Sequence, residues 1–190
     1  RGQRVNDLPV QKRNIGFAMT IMQRRLTSSL AAITASLKRR RARLADLLQK
    51  VRSRMAGTPA QLAEGNSEPL LSQALGGAPV ESMEDLGEAA RWQAEDILIE
   101  GLTNAESVEE LETEVLALDR LVRRAQAAAG DGQESKFNEL CDSILRDGGL
   151  RQRGEKLLIF TEAKDTLDFL VEQLRARGFT VAVIDGSLPM

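Results

Sequence analysis

Apolar side chains in the first third of this chain recur every three or four positions: Ile15, Met19, Met22, Leu26, Leu30, Ile33 and Leu37, then Leu44, Leu48, Val51 and Met55. A stripe of that period keeps to one face of an α-helix. Thr27-Ser28-Ser29 interrupts it with hydroxyls suited to ending one helix and capping the next, so the pattern predicts helices over 15–27 and 30–55. Gly57-Thr58-Pro59 stops the second, and residues 57–79, with three Pro, four Gly and no sustained period, read as a mobile linker. A helix over Met83–Glu100 follows, capped by Ser82 and ended by Gly101. Then Val108, Leu111, Val115, Leu118, Val122 and Ala125 mark a helix over 105–129, closed by Gly130-Asp131-Gly132. A shorter helix is expected over Ser135–Arg146.

Helices 30–55 and 105–129 have nearly equal length, about 38 Å at about 1.5 Å per residue. Laid antiparallel, they bring Lys50, Arg52 and Arg54 beside Glu106, Glu109 and Glu110. The expectation is a helical hairpin closed by a Leu/Val seam, with charges fixing register more than adding energy. Independently solvated charged faces are the other reading.

The period changes at the end of the chain. Leu157–Phe160 is a short, wholly apolar run, as in a strand buried on both faces. Leu167, Leu170, Val171 and Leu174 then share one helical face, Gly178 supplies a left-handed stop, and Val181–Ile184 is a second apolar run. The crossover over 161–180 is long enough for a parallel βαβ unit. The expected fold class is mostly α with a terminal α/β element: a helical region over 1–132, then a βαβ-bearing unit over 133–190.

Composition narrows the chemistry. Aromatics are 3% of the 190 residues and His is absent, which removes Ser-His-Asp and Cys-His nucleophile systems and most zinc sites. Cys141 is the single cysteine, so a reducing cytoplasm is the natural setting; no apolar run is long enough to span a membrane. The chain opens on Arg-Gly and closes just after Pro189, which reads as a segment of a larger protein. The net charge of −2 hides segregation: residues 1–55 carry fourteen Lys/Arg against Asp7 and Asp46, and residues 56–119 carry fifteen acids against Arg91. That asymmetry means nucleic-acid contact by the basic part or pairing of the two parts with each other. The run Lys38–Arg43 poses the same alternatives, with a targeting signal as a third. The acids Glu109, Glu110, Glu112 and Glu114 read as a solvated helix face, and Trp92 as packing within its own helix.

Ligands of open parallel sheets bind beyond the carboxyl ends of the strands. Thr161-Glu162 and Asp185-Gly186-Ser187 occupy those places. Thr161 at the start of a helix suits either a phosphate contact or an ordinary cap, and the second cluster suits a backbone contact or a tight turn. No G-x-x-x-x-G-K-S/T occurs, so the sequence contains no P-loop.

The stretch EKLLIFTEAKDTLDFLVEQLRARGFTVAVIDGS resembles the opening of the second RecA-like lobe of superfamily-two helicases, specifically bacterial Swi/Snf-type ATPases. ESKFNELCDSILRDGGLRQRGEK resembles the approach to that lobe, and MQRRLTSSLAAITASLKRRRARL the helical segment joining the two lobes, where such enzymes carry helical protrusions. The resemblance implies an ATP-driven translocase on double-stranded DNA. It implies Thr161 and Lys164 approaching the strand backbone, Asp185 and Gly186 near the same groove, and Arg24 and Arg25 contacting phosphate or the lobe. It places no catalytic or metal residue in this segment; ATP and Mg2+ belong to the parent protein. A non-catalytic hairpin that binds a protein partner is the reading from a different class, and a flavodoxin-like or receiver domain is a third.

Overall fold

The structure, a computed structural model, describes residues 4–55, 87–101, 103, 105, 107–132, 134–142 and 154–185. The linker expected over 57–79, the cap Ser82, and Gly186 with Ser187 lie outside the described residues. Six helices follow in chain order among those described: α1 (Arg4–Ser28), α2 (Leu30–Met55), α3 (Glu88–Gly101), α4 (Val108–Gly130), α5 (Ser135–Glu139) and α6 (Lys164–Ala176).

The break between α1 and α2 falls within the hydroxyl triplet. Ser29 accepts from the Ala32 N–H through Oγ at 3.0 Å, and its own N–H still reaches the Arg25 carbonyl at 3.1 Å. One residue therefore closes the first helix and caps the second. The first helix begins at Arg4, eleven residues before the expected start. Pro9 removes one hydrogen bond from its ladder but does not stop it.

The predicted hairpin is present. Ile33, Leu37, Leu44 and Leu48 of α2 are buried against Leu111, Val115 and Leu118 of α4, with Ala105 closing one end. Each fully buried Leu or Ile contributes about 1.5–3 kcal/mol of gross hydrophobic stabilisation. The helices run antiparallel: Arg52, near the end of α2, pairs with Glu112 near the start of α4, while Arg41 pairs with Asp119 at 2.8 Å. Beyond the end of α4, the Glu134 carboxylate accepts from the Ala31 N–H at 2.9 Å. The antiparallel orientation agrees with expectation; Glu106 and the Arg54 side chain lie outside the described residues, and two of the remaining pairs differ. Arg52 takes Glu112 instead of Glu109 or Glu110, and Lys50 pairs within its own helix with Asp46 at 2.6 Å. A second core joins Ala18 and Ile21 of α1 to Leu98 and Ile99 of α3.

The α/β element is corrected. The helix of the expected βαβ unit forms as α6, and Gly178 at φ 76° stops it, with the Phe179 N–H returning to the Leu174 carbonyl at 3.1 Å. The runs Leu157–Phe160 and Val181–Ile184, however, form no ladder, and there is no strand among the described residues. Leu158, Phe160 and Ile184 are 75%, 85% and 88% exposed. A parallel strand requires hydrogen-bonding neighbours and cover on both faces. Here all four residues of the first run are exposed, as are Ala182 and Ile184 of the second. The described fold is therefore all-α, and no described helix is long and apolar enough to cross a membrane.

Candidate functional site

The α1–α2 break, α3 and the start of α6 meet around a cleft of about 790 Å³. Its floor is ionic. Arg25 is 7% exposed and donates to Ser36 Oγ at 2.6 Å, with its other nitrogen 2.7 Å from Asp96 and 3.8 Å from Glu95. Glu95 is 5% exposed and also accepts from Arg24 at 2.9 Å. Burying these charges is tolerable because each meets an opposite partner, and Arg presents a planar fork that serves two at once.

Arg39 ties three helices together. From α2 it holds Asp165 of α6 through two parallel hydrogen bonds of 3.0 and 2.9 Å, and it reaches Asp96 of α3 at 3.1 Å. Its Nε lies 3.2 Å from the Glu100 carboxylate, an ion pair without a hydrogen bond. The bidentate bond to Asp165 raises the Arg39 pKa; partial burial opposes this, and the charges of Asp165, Asp96 and Glu100 add to it. Asp165 occupies the first turn of α6, where a negative charge also faces the positive end of the helix.

Hydroxyls complete the junction. Thr166 Oγ1 lies 2.8 Å from Ser28 Oγ and 2.9 Å from Ser29 Oγ, so the α1–α2 break is fastened to the first turn of α6. Trp92 of α3 donates from Nε1 to the Glu162 carbonyl at 2.9 Å. On the opposite wall, Phe137 of α5 meets Phe169 of α6 edge-to-face at 5.3 Å, and the Arg177 guanidinium lies 4.7 Å above the Phe137 ring.

The residues singled out from sequence are distributed as follows. Arg24, Arg25, Thr161 and Lys164 all line the cleft. Thr161 is half-buried but does not cap α6: the cap position is Ala163, without a side-chain hydrogen bond. Lys164 Nζ bridges Asp185 at 2.9 Å and Asp168 at 3.2 Å. Its pKa is raised, chiefly by the hydrogen bond to Asp185; desolvation opposes this, and Asp168 adds to the rise. A raised lysine keeps its stabilising pairs fully below the ordinary value of about 10.5 and loses them only as pH climbs through the raised one, so this tie is intact at neutral pH. Arg25 is buried among Ser36, Glu95 and Asp96, which it joins.

Sequence reasoning missed Glu95, Asp96, Glu100 and Asp165 as partners of the basic helices. The segregation of charge was the available signal, and it resolves as pairing between the two parts. Trp92, read as packing within its own helix, also donates to the Glu162 carbonyl in the loop before α6. Glu114, read as solvated, accepts from Arg40 at 2.5 Å and from Thr103 Oγ1 at 2.6 Å. Among the described residues no group of His, Cys, Asp and Glu is arranged to hold a metal ion. The ion pairs and hydroxyl contacts of the junction join α1, α2, α3 and α6. No family model matches the chain, and no curated protein and no solved structure matches it either.

Proposed function

We propose that this chain is part of an ATP-driven, Swi/Snf-type translocase acting on double-stranded DNA, in which the α2–α4 hairpin is a helical protrusion carried on the first elements of the second RecA-like lobe. The observation that carries this reading is the Lys164–Asp185 contact at 2.9 Å. It joins the start of α6 to the far end of the returning segment. The leading segment 156–163 delivers the chain to that same end of α6, so strand-like run, helix and strand-like run follow the order a RecA-like lobe requires. The exposed apolar side chains of Leu158, Phe160 and Ile184 fit sheet positions that the rest of such a lobe would cover.

In this reading the ionic junction has a mechanical role. Arg39 and the Ser28–Ser29–Thr166 hydroxyls fix the hairpin to α6, so the protrusion moves with that lobe when ATP closes the motor. ATP and Mg2+ are held elsewhere in the parent, since this sequence contains no P-loop. Thr161 and Lys164, which line the cleft, serve as contacts to the DNA backbone, with Asp185 positioning the lysine.

The test is ATP turnover with and without duplex DNA, on the purified 190-residue chain and on the intact protein that contains it. The chain alone is expected to show no turnover, and the intact protein turnover that duplex DNA stimulates. Substituting Thr161→Ala in the intact protein is expected to lower the DNA-stimulated rate more than the basal one. Turnover by the isolated chain, or an intact protein indifferent to DNA, would overturn the proposal.

A further inference from the structure

Most of the aromatic side chains collect at the cleft. The sequence has six, one Trp and five Phe, and four of them line it: Trp92, Phe137, Phe160 and Phe169. Phe160 belongs with Leu158 to the uncovered apolar surface, and Phe137 is buried against Phe169 with Arg177 above its ring. Trp92 and Phe169, both half-buried, are the rings left partly open to the cleft. The indole is pinned, because its one N–H goes to the Glu162 carbonyl at 2.9 Å. A ring fixed by its edge keeps its faces for packing.

The polar lining divides into spent and unspent groups. Five cations and five carboxylates line the cleft, so it exerts no net pull on an anion. Each cation is also engaged: Arg24 with Glu95, Arg25 with Asp96, Arg39 with Asp165, Lys164 with Asp185, and Lys136 with the Thr27 carbonyl. A phosphate deep in the cleft would have to displace these partners and face Glu95 and Asp96. By contrast, the Gln93 amide and the Thr161 hydroxyl line the cleft and make no side-chain hydrogen bond among the described residues. What remains available to a ligand is apolar ring surface and two neutral groups that both donate and accept. The volume, about 790 Å³, lies in the range of about 300–1,000 Å³ that takes a small ligand.

We infer that the cleft binds a flat, uncharged heteroaromatic ring, the chemistry of a nucleobase, stacked on Trp92 with the Gln93 amide paired to its edge. A base combines a π face that any aromatic platform accepts with donors and acceptors around its rim, and a side-chain amide pairs with two adjacent ones at once. The ring class rests on the cleft alone. Its delivery as an unpaired base of a bound strand rests on the translocase reading, in which Thr161 and Lys164 hold the backbone while the base enters the cleft. A free nucleoside presents the same ring without the strand.

The experiment titrates the 190-residue chain with three probes: a short oligo-dA strand, an abasic strand of equal length, and adenosine. Trp92, the sole tryptophan, is followed by its emission. Stacking should quench it saturably with oligo-dA, without the red shift that release of α6 gives, and the abasic strand should bind roughly tenfold or more weaker. Adenosine quenching as tightly as the strand supports the ring class and assigns the source to a free nucleoside. Equal binding of the abasic and base-bearing strands, or no quenching by either oligo-dA or adenosine, would overturn the inference. By anisotropy of labelled oligo-dA, Trp92→Ala should weaken binding roughly fivefold or more, and Trp92→Phe, which keeps a ring, should stay within about threefold of the original. If Trp92→Ala releases α6, Gln93→Ala decides. At an exposed position without a hydrogen-bond partner, it should lower oligo-dA affinity about threefold and leave abasic-strand affinity unchanged. Equal loss on both strands, or none on either, sinks the inference. The translocase reading stands without it if duplex DNA still stimulates ATP turnover by the intact protein. Base-dependent binding in an intact protein that hydrolyses no ATP removes the translocase reading alone.

Discussion

At the residue scale, burial decides what each ion pair contributes. Arg25 and Glu95 are buried and share partners, whereas Arg52 and Glu112 meet on the exposed flank of the hairpin. Truncating Arg25→Ala leaves Glu95 with Arg24 and Asp96 with Arg39, and takes the donor from Ser36, so the loss is expected at about 2–3 kcal/mol, below the roughly 3–5 kcal/mol of a buried charge left with no partner. Arg52→Ala removes a pair that water already screens, worth about 0–1 kcal/mol. Urea unfolding of the two variants should separate them by several-fold in stability loss, and high salt should narrow the Arg52 effect while leaving most of the Arg25 effect. Comparable losses from both would show that Arg25 is not the buried cation its contacts describe. Neither role was legible from sequence. Both arginines sit on basic helices, and only the packing of α3 against α1 determines which of them loses its water.

At the element scale, the hairpin was legible and its attachment to α6 was not. Leu44 and Leu111 announce themselves by periodicity, because a seam between two helices must repeat with the helix. The attachment uses Asp165, Thr166, Ser28 and Ser29, polar residues whose types suit caps and turns equally well, and no period links residues so distant in the chain. The strand runs failed for a third reason: four apolar residues report a wish for burial, not the neighbour that satisfies it. The attachment predicts a measurable release. The sole tryptophan, Trp92, donates to the Glu162 carbonyl beside α6, so its emission reports whether residues 154–185 stay docked. Asp165→Asn together with Thr166→Val removes the charge held by Arg39 and the hydroxyl shared by the two serines. Trp92 emission should shift to the red, and amide exchange in α6 should accelerate, while α2 and α4 keep their protection. Uniform acceleration across all helices would mean instead that α6 is part of one cooperative unit with the hairpin.

At the scale of the whole molecule, the polar attachment holds one end of a surface that stays apolar. Leu158, Phe160 and Ile184 are each more than two-thirds exposed, and they belong to the two segments that flank α6. Isolated in water, such a surface favours pairing with a second copy. The 190-residue chain should therefore associate as its concentration rises, measured by sedimentation velocity, and Leu158→Ser with Phe160→Ser should return it to the monomer. The translocase reading adds a second expectation of opposite sign. If these side chains are covered by the remainder of a RecA-like lobe in the intact protein, Phe160→Ser there removes a buried ring and should destabilise that lobe by about 3–5 kcal/mol. One substitution would then improve the solubility of the piece and damage the whole. A free surface in both settings predicts improvement in both, and a chain that stays monomeric at every concentration predicts neither, so the pair of measurements distinguishes an unfinished sheet from an ordinary exposed loop.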